Sequence, residues 1–75
     1  MSRTFSGPRL RERRLAAGLK PEHVAVGIDR SYYSVREYEL GRVTPPADTL
    51  GKLADLFGCQ VDDFYTAPGH LEVAA

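Results

Sequence analysis

The chain has 75 residues, 43% of them hydrophobic and 27% charged, with ten basic side chains balanced by ten acidic ones. That length allows one domain near the lower limit for a self-sufficient core. It carries no apolar run approaching the ~18 residues of a membrane span, and the opening MSRTFSGPR lacks the apolar stretch of a signal peptide. A cytoplasmic protein with no membrane contact is therefore expected. Cys59 has no second cysteine to pair with and reads as a small apolar residue at a helix end.

The neutral total hides a division. Residues 1–45 hold nine bases against five acids, a net +4, and residues 46–75 hold one base against five acids, a net −4. A basic half joined to an acidic half hints at a surface that faces a polyanion.

In chain order, residues 1–7 read as a flexible N-terminus that stops at Gly7-Pro8, where proline suits the first turn of a helix. PRLRERRLAAG follows, with Leu10, Arg14, Leu15 and Ala17 as its inward stripe and Gly18 as its C-cap. KPEHVAVGI reads as a second helix: Pro21 and Glu22 mark its start, and Val24, Ala25 and Ile28 share one face. Its Val24, Val26 and Gly27 are poor helix formers, so packing must hold it. Asp29-Arg30 breaks the chain, and Ser31 caps a third helix, SYYSVREYE, which Gly41 ends. Val35, Tyr38 and Glu39 fall on one side of it, and Tyr33, Arg36, Glu37 and Leu40 on the other. Two prolines keep RVTPP extended. Leu50, Leu53, Ala54 and Phe57 then give the clearest amphipathic helix of the chain, closed by Gly58. VDDFY reads as a fifth short helix, with acids in its first turn and Phe64 for the core, and TAPGHLEVAA as a tail. The expectation is an all-α bundle of five short helices without a strand, its domain spanning residues 8–65 between the N-terminus and a tail at 66–75.

Short helices with a tight turn between the second and third match a helix-turn-helix unit. The residues go further. RERRLAAGLK, HVAVGI, SYYSVREYELGR and TPPADTLGKLADLFGCQVDDFY, at these separations, resemble the Cro/C1-type helix-turn-helix domain (XRE family) of phage repressors and small bacterial regulators. The likeness runs from about Pro8 to Tyr65 and implies a compact, lambda-repressor-like fold.

It also implies particular roles. An arginine late in the first helix bonds the glutamate that follows the buried aromatic of the third, which here falls on Arg14 and Glu39. Both lie on the inward faces of their helices, where a charge is costly unless paired. The third helix would lie in the major groove of double-stranded DNA. Its base-reading positions fall on Tyr32, Tyr33, Arg36 and Glu37, with Tyr32 at the border of the core. A carboxylate such as Glu37 suits that place only by accepting from a cytosine amino group or pairing with Arg36 or Arg42. Lys20, Ser31, Ser34, Arg42, Arg9, Arg11 and Arg30 would meet the DNA backbone, giving orientation and salt dependence but no reading of sequence. Two departures stand out: Pro21 occupies the place of the family's phosphate-holding glutamine, and Asp29-Arg30 replaces its turn glycine and the buried aliphatic after it. A homodimer on a palindromic operator is implied, with its interface in the fifth helix and near Leu71 or Val73 of the tail.

The residues give no support to an enzyme. His23 and His70 are far apart in sequence, no Cys, His or carboxylate grouping has metal-ligand spacing, and no Gly-rich phosphate loop is present. No cofactor is expected. The rival reading is a protein-interaction module on the same fold, such as an antitoxin or adaptor, for which exposed Tyr33 and Leu40 would suit a protein partner.

Overall fold

Prolines and serines start the helices, and left-handed residues stop them. A computed structural model describes residues 3–66, and within these lie four α-helices: α1 (Gly7–Ala16), α2 (Pro21–Ile28), α3 (Tyr32–Glu39) and α4 (Ala47–Phe57). Ser6 accepts a hydrogen bond from the Arg9 amide at 3.3 Å, and Ser31 accepts one from the Ser34 amide at 3.0 Å. Each hydroxyl thereby satisfies an amide of the first turn that has no partner within its helix. Pro8 stands in the first turn of α1 and Pro21 opens α2, where the missing N–H costs nothing.

All four helices end alike. After α2 the Arg30 amide donates to the Ala25 carbonyl at 3.0 Å and the Asp29 amide to the Val26 carbonyl at 3.2 Å, with Asp29 at φ 58° between them. This is the Schellman arrangement. Glycine holds the equivalent left-handed place after α1, α3 and α4, at Gly18, Gly41 and Gly58. Aspartate tolerates that backbone better than most side chains, so the turn between α2 and α3 needs only Asp29, Arg30 and Ser31.

The expected fifth helix is corrected. Val61–Phe64 forms a single 3₁₀ turn, and a two-strand antiparallel ladder joins β1 (Thr4–Phe5) to β2 (Tyr65–Thr66), with Phe5 opposite Tyr65. Four residues give too few bonds for a stable α-helix, and the Asp63 carboxylate takes the Gln60 amide at 3.0 Å, which holds the shorter turn. Extended chain follows because the Ser6 amide donates to the Phe64 carbonyl at 2.8 Å, and the Phe5 and Tyr65 rings meet edge to face at 6.0 Å. The described part of the segment read as a flexible N-terminus thus forms β1 and the start of α1.

Leu10, Val24, Ala25, Ile28, Val35, Tyr38, Leu50, Leu53, Ala54 and Phe64 make up the core. Phe57 closes it edge to face on Phe64, with ring centres 6.0 Å apart. On α1 the buried positions are Gly7, Leu10 and Arg14, and Leu15 and Ala17 are exposed. The inward stripe of that helix is therefore narrow and ends on a charge. Tail residues Leu71 and Val73, expected at a dimer interface, lie outside the described residues.

That charge is matched. Arg14 Nε donates to Glu39 Oε2 at 2.6 Å and its NH2 to Oε1 at 3.2 Å, while NH1 reaches the Leu19 carbonyl at 2.8 Å. The two side chains are only 8% and 7% exposed. Among the described residues no buried side-chain N or O atom lacks a partner, which is the condition under which a buried ion pair is tolerated.

Two stability predictions follow from this packing. Glu39→Gln or Arg14→Met alone leaves one charge buried without its counter-ion and is expected to lower the unfolding free energy by about 3–5 kcal/mol, read by urea denaturation. At Gly7 an added Cβ would lie 2.5 Å from the Glu39 carbonyl and 2.6 Å from the Gly41 amide, whereas at Gly51, within α4, it meets nothing within 4 Å. Gly7→Ala is therefore expected to cost about 1–3 kcal/mol by overpacking, and Gly51→Ala to add about 0.5–1 kcal/mol. Equal melting temperatures for the two variants would contradict this account of how α1 starts against the end of α3.

Candidate nucleic-acid interface

Burial of Val35, Tyr38 and Glu39 turns the opposite side of α3 outward. Tyr33 is the most exposed aromatic there at 69%, Tyr32 is 49% exposed, and Arg36 stands one turn on. The Tyr32 hydroxyl accepts from Arg36 NH1 at 3.3 Å, the i to i+4 spacing that brings side chains together on a helix. Tyr32, placed at the border from sequence, thus belongs with the outward group. Ser31 and Ser34 flank the start of the helix, and Ser31 Oγ also donates to Ser34 Oγ at 3.1 Å.

Glu37 does not share that side. Its side chain is only 13% exposed, and its carboxylate accepts from Arg42 NH1 at 3.3 Å. The cause is the end of α3: the Glu37 carbonyl takes the Arg42 amide at 3.0 Å, so the chain folds back over this side chain. Arg42 keeps its own side chain 66% exposed. The reading of Glu37 as outward-facing with Tyr33 and Arg36 is corrected accordingly, while Leu40 is exposed as expected.

The basic residues divide into two groups. Arg3 pairs with Asp62 at 2.9 Å and Arg13 with Asp63 at 3.4 Å, and Arg9 Nε donates to the Asp63 carbonyl at 3.0 Å. These three fasten the 3₁₀ turn to the start of the chain and to α1. Arg11, Lys20, Arg30 and Arg36 have no carboxylate partner among the described residues. Arg30, which replaces a buried aliphatic of the resembled family, stays exposed and reaches Thr49 Oγ1 at 3.4 Å. Arg9 aside, the positive charge of the first 45 residues that no described carboxylate meets lies on Arg11, Lys20, Arg30 and Arg36, with Arg42 partly neutralised.

Sequence reasoning missed one arrangement. Arg11, Arg14, Pro21, Arg36, Glu39 and Leu40 surround a single cleft of about 230 Å³ between α1, the start of α2 and α3. No local signal in the sequence brings these residues together, because their meeting depends on how three helices cross. Elsewhere the chemistry is plain. Burial raises the Cys59 thiol above its ordinary value, and nearby Asp63 raises it further. The side chain is then a protonated, partly buried thiol. Among the described residues no three His, Cys, Asp or Glu side chains gather where a metal could be held, and no helix is long and apolar enough to cross a membrane.

Comparison with known proteins agrees with this geometry. The helix-turn-helix domain family matches residues 7–65. An Aeropyrum pernix protein assigned to the HTH-type transcriptional regulators is 35% identical over 68 residues, which cover 87% of this chain and 21% of that protein. The chain therefore spans about a fifth of the length of that curated relative. Among solved structures, the restriction-modification controller protein C.AhdI of Aeromonas hydrophila superposes with a TM-score of 0.71 at 29% identity, covering 77% of this chain and 88% of that one. The P22 c2 repressor, solved in complex with a synthetic operator, superposes with a TM-score of 0.70 at 21% identity over 75% of this chain and 85% of that one. In sequence and in fold, the chain belongs to the helix-turn-helix domain family, of the Cro/C1 type.

Proposed function

We propose that this chain is a sequence-specific, DNA-binding transcriptional regulator, acting as a repressor or autoregulator, that lays α3 in the major groove. The observation that carries the reading is the outward face of α3. Two large polar aromatics and an arginine with no carboxylate partner among the described residues project from a helix whose other side is locked into the core. A major groove admits such a helix, and Arg36 has the fork that binds the N7 and O6 acceptors of guanine. Tyr33 suits a thymine methyl or a phosphate, and Tyr32 holds Arg36 in line. Lys20, Arg11, Arg30 and Arg42, with Ser31 and Ser34 at the helix start, meet backbone phosphates. Glu37 acts through Arg42, whose charge it tempers, and Arg9 serves the fold through Asp63. One domain of this size grips little DNA, so the working form is a homodimer on a palindromic operator. The likeness to a transcriptional regulator of Aeropyrum and to the controller protein C.AhdI supports the same reading.

Fluorescence anisotropy on duplexes recovered by selection from random sequence tests it. The expected result is saturable binding that weakens steeply with salt. Arg36→Ala should lose about 1–3 kcal/mol of discrimination at one base pair, and Tyr33→Ala should weaken specific binding with the melting temperature unchanged. Absence of binding to any duplex at low salt, together with a stable complex with another protein, would favour the interaction-module reading instead.

Glu37 gives a separate test. With its carboxylate removed, Arg42 is released to phosphate, so Glu37→Gln should tighten binding to every duplex alike. The slope of log affinity against log salt should then steepen by about one. A changed preference at a single base pair would instead make Glu37 a base reader.

A further inference from the structure

The cleft between α1, the start of α2 and α3 brings together two arginines, Arg11 and Arg36, to which the DNA reading gives separate roles. Its floor is the Arg14–Glu39 pair, in which all three guanidinium nitrogens are already bonded, to the Glu39 carboxylate and the Leu19 carbonyl. The floor is therefore electrically neutral as a pair. Its rim is a different matter. Arg11 and Arg36 both line the cleft, and neither has a carboxylate partner among the described residues. Among the described residues the Arg36 side chain bonds only a neutral hydroxyl, that of Tyr32, at 3.3 Å. Helix α2 begins at Pro21 on the same rim, without a side-chain cap, so its positive end adds to the field. Pro21 and Leu40, two apolar residues, line the same cleft.

We infer that this cleft is a binding site for a small free oxyanion of the phosphomonoester class. The anionic group would bridge Arg11 and Arg36, and its apolar body would lie on Pro21 and Leu40. Guanidinium groups bind phosphoryl oxygens through paired, charge-assisted hydrogen bonds. The volume of about 230 Å³ exceeds what a bare phosphate fills and falls below the roughly 300–1,000 Å³ of drug-sized pockets. A ligand of a few heavy atoms beyond the phosphoryl group matches it. Because Arg36 belongs both to this rim and to the outward face of α3, a bound anion would draw it from the DNA surface. The ligand and the duplex would then oppose each other by linkage. That antagonism rests on the DNA reading; the binding site itself does not.

The test uses the full chain, labelled with nitrogen-15, and phenyl phosphate as the probe at fixed ionic strength set with sodium chloride. Side-chain Nε–H signals of Arg11 and Arg36 should shift together and saturate. Arg11→Gln and Arg36→Gln should each weaken the probe by about tenfold, the loss of one charge-assisted contact. Lys52→Gln, on α4, should leave it unchanged, and circular dichroism melts verify that each variant folds. In a second arm, phenyl phosphate should weaken binding of wild type to a mixed-sequence 24-base-pair duplex, and that of Arg11→Gln only at about tenfold higher probe concentration. Shifts spread over Lys20, Arg30 and Arg42 without saturation would overturn the inference, since they report only the ionic atmosphere. Saturation of these arginines by duplex but not by phenyl phosphate would overturn it too, leaving the cleft to backbone phosphates alone. Saturable binding of the probe by a protein that binds no duplex would uphold the site and contradict the DNA reading.

Discussion

One buried ion pair organises the molecule. Arg14 arrives from α1, Glu39 from the end of α3, and the third nitrogen of the guanidinium closes on the Leu19 carbonyl where the chain turns towards α2. The end of α1 and the turn after it are thus tied to the end of α3, 25 positions further along the chain. Such a pair adds little net stability over a well-packed apolar substitute, because desolvating two charges offsets most of their attraction. What it supplies is orientation: the bidentate fork has one good geometry, and that geometry fixes the rotation of α3 about its own axis. Tyr33 and Arg36 face outward because Glu39, Val35 and Tyr38 cannot. Gly7 enforces the same arrangement from the other side, since only a residue without a Cβ lets the start of α1 lie on the Glu39 carbonyl.

The charge division of the sequence takes on a physical meaning in this frame. Asp62 and Asp63, from the acidic half, draw Arg3 and Arg13 to them, and the Asp63 carbonyl takes Arg9. Part of the basic excess is thereby neutralised within the fold, and the remainder collects near α3 and the start of α2. A chain of zero net charge can then present a positive face. Exposed pairs such as Arg3–Asp62 contribute little energy singly; their effect is to decide which arginines remain available to an outside anion.

Much of this was legible in the sequence, and the reasons for the remainder are specific. Helices α2, α3 and α4 carry apolar residues at spacings that admit one inward face, and those faces are the buried ones. Gly18, Gly41, Gly58 and even Asp29 announced the left-handed stops. Leu15 was misplaced because α1 is so rich in arginine that its inward stripe shrinks to Gly7, Leu10 and Arg14. The last turn and the β1–β2 ladder depend on pairing between chain ends some sixty residues apart, Thr4 with Thr66 and Phe5 with Tyr65, which local periodicity does not register. Helical geometry alone turns Glu37 outward, yet the Gly41 turn folds Arg42 back over it. The cleft shared by Arg11 and Arg36 was invisible for the same reason: it is a product of helix crossing, not of spacing.

The central claim is that the outward face of α3, flanked by basic residues of neighbouring segments, is the surface that meets DNA. The most direct measurement is a nitrogen-15 chemical-shift map of the chain titrated with a selected duplex. The account predicts that the largest shifts fall on Ser31 to Arg36, with smaller ones at Lys20, Arg30 and Arg42, while the exposed apolar residues Val26 of α2 and Leu56 of α4 stay still. Large shifts centred on Val26 and Leu56, with Tyr33 and Arg36 unmoved, would contradict it.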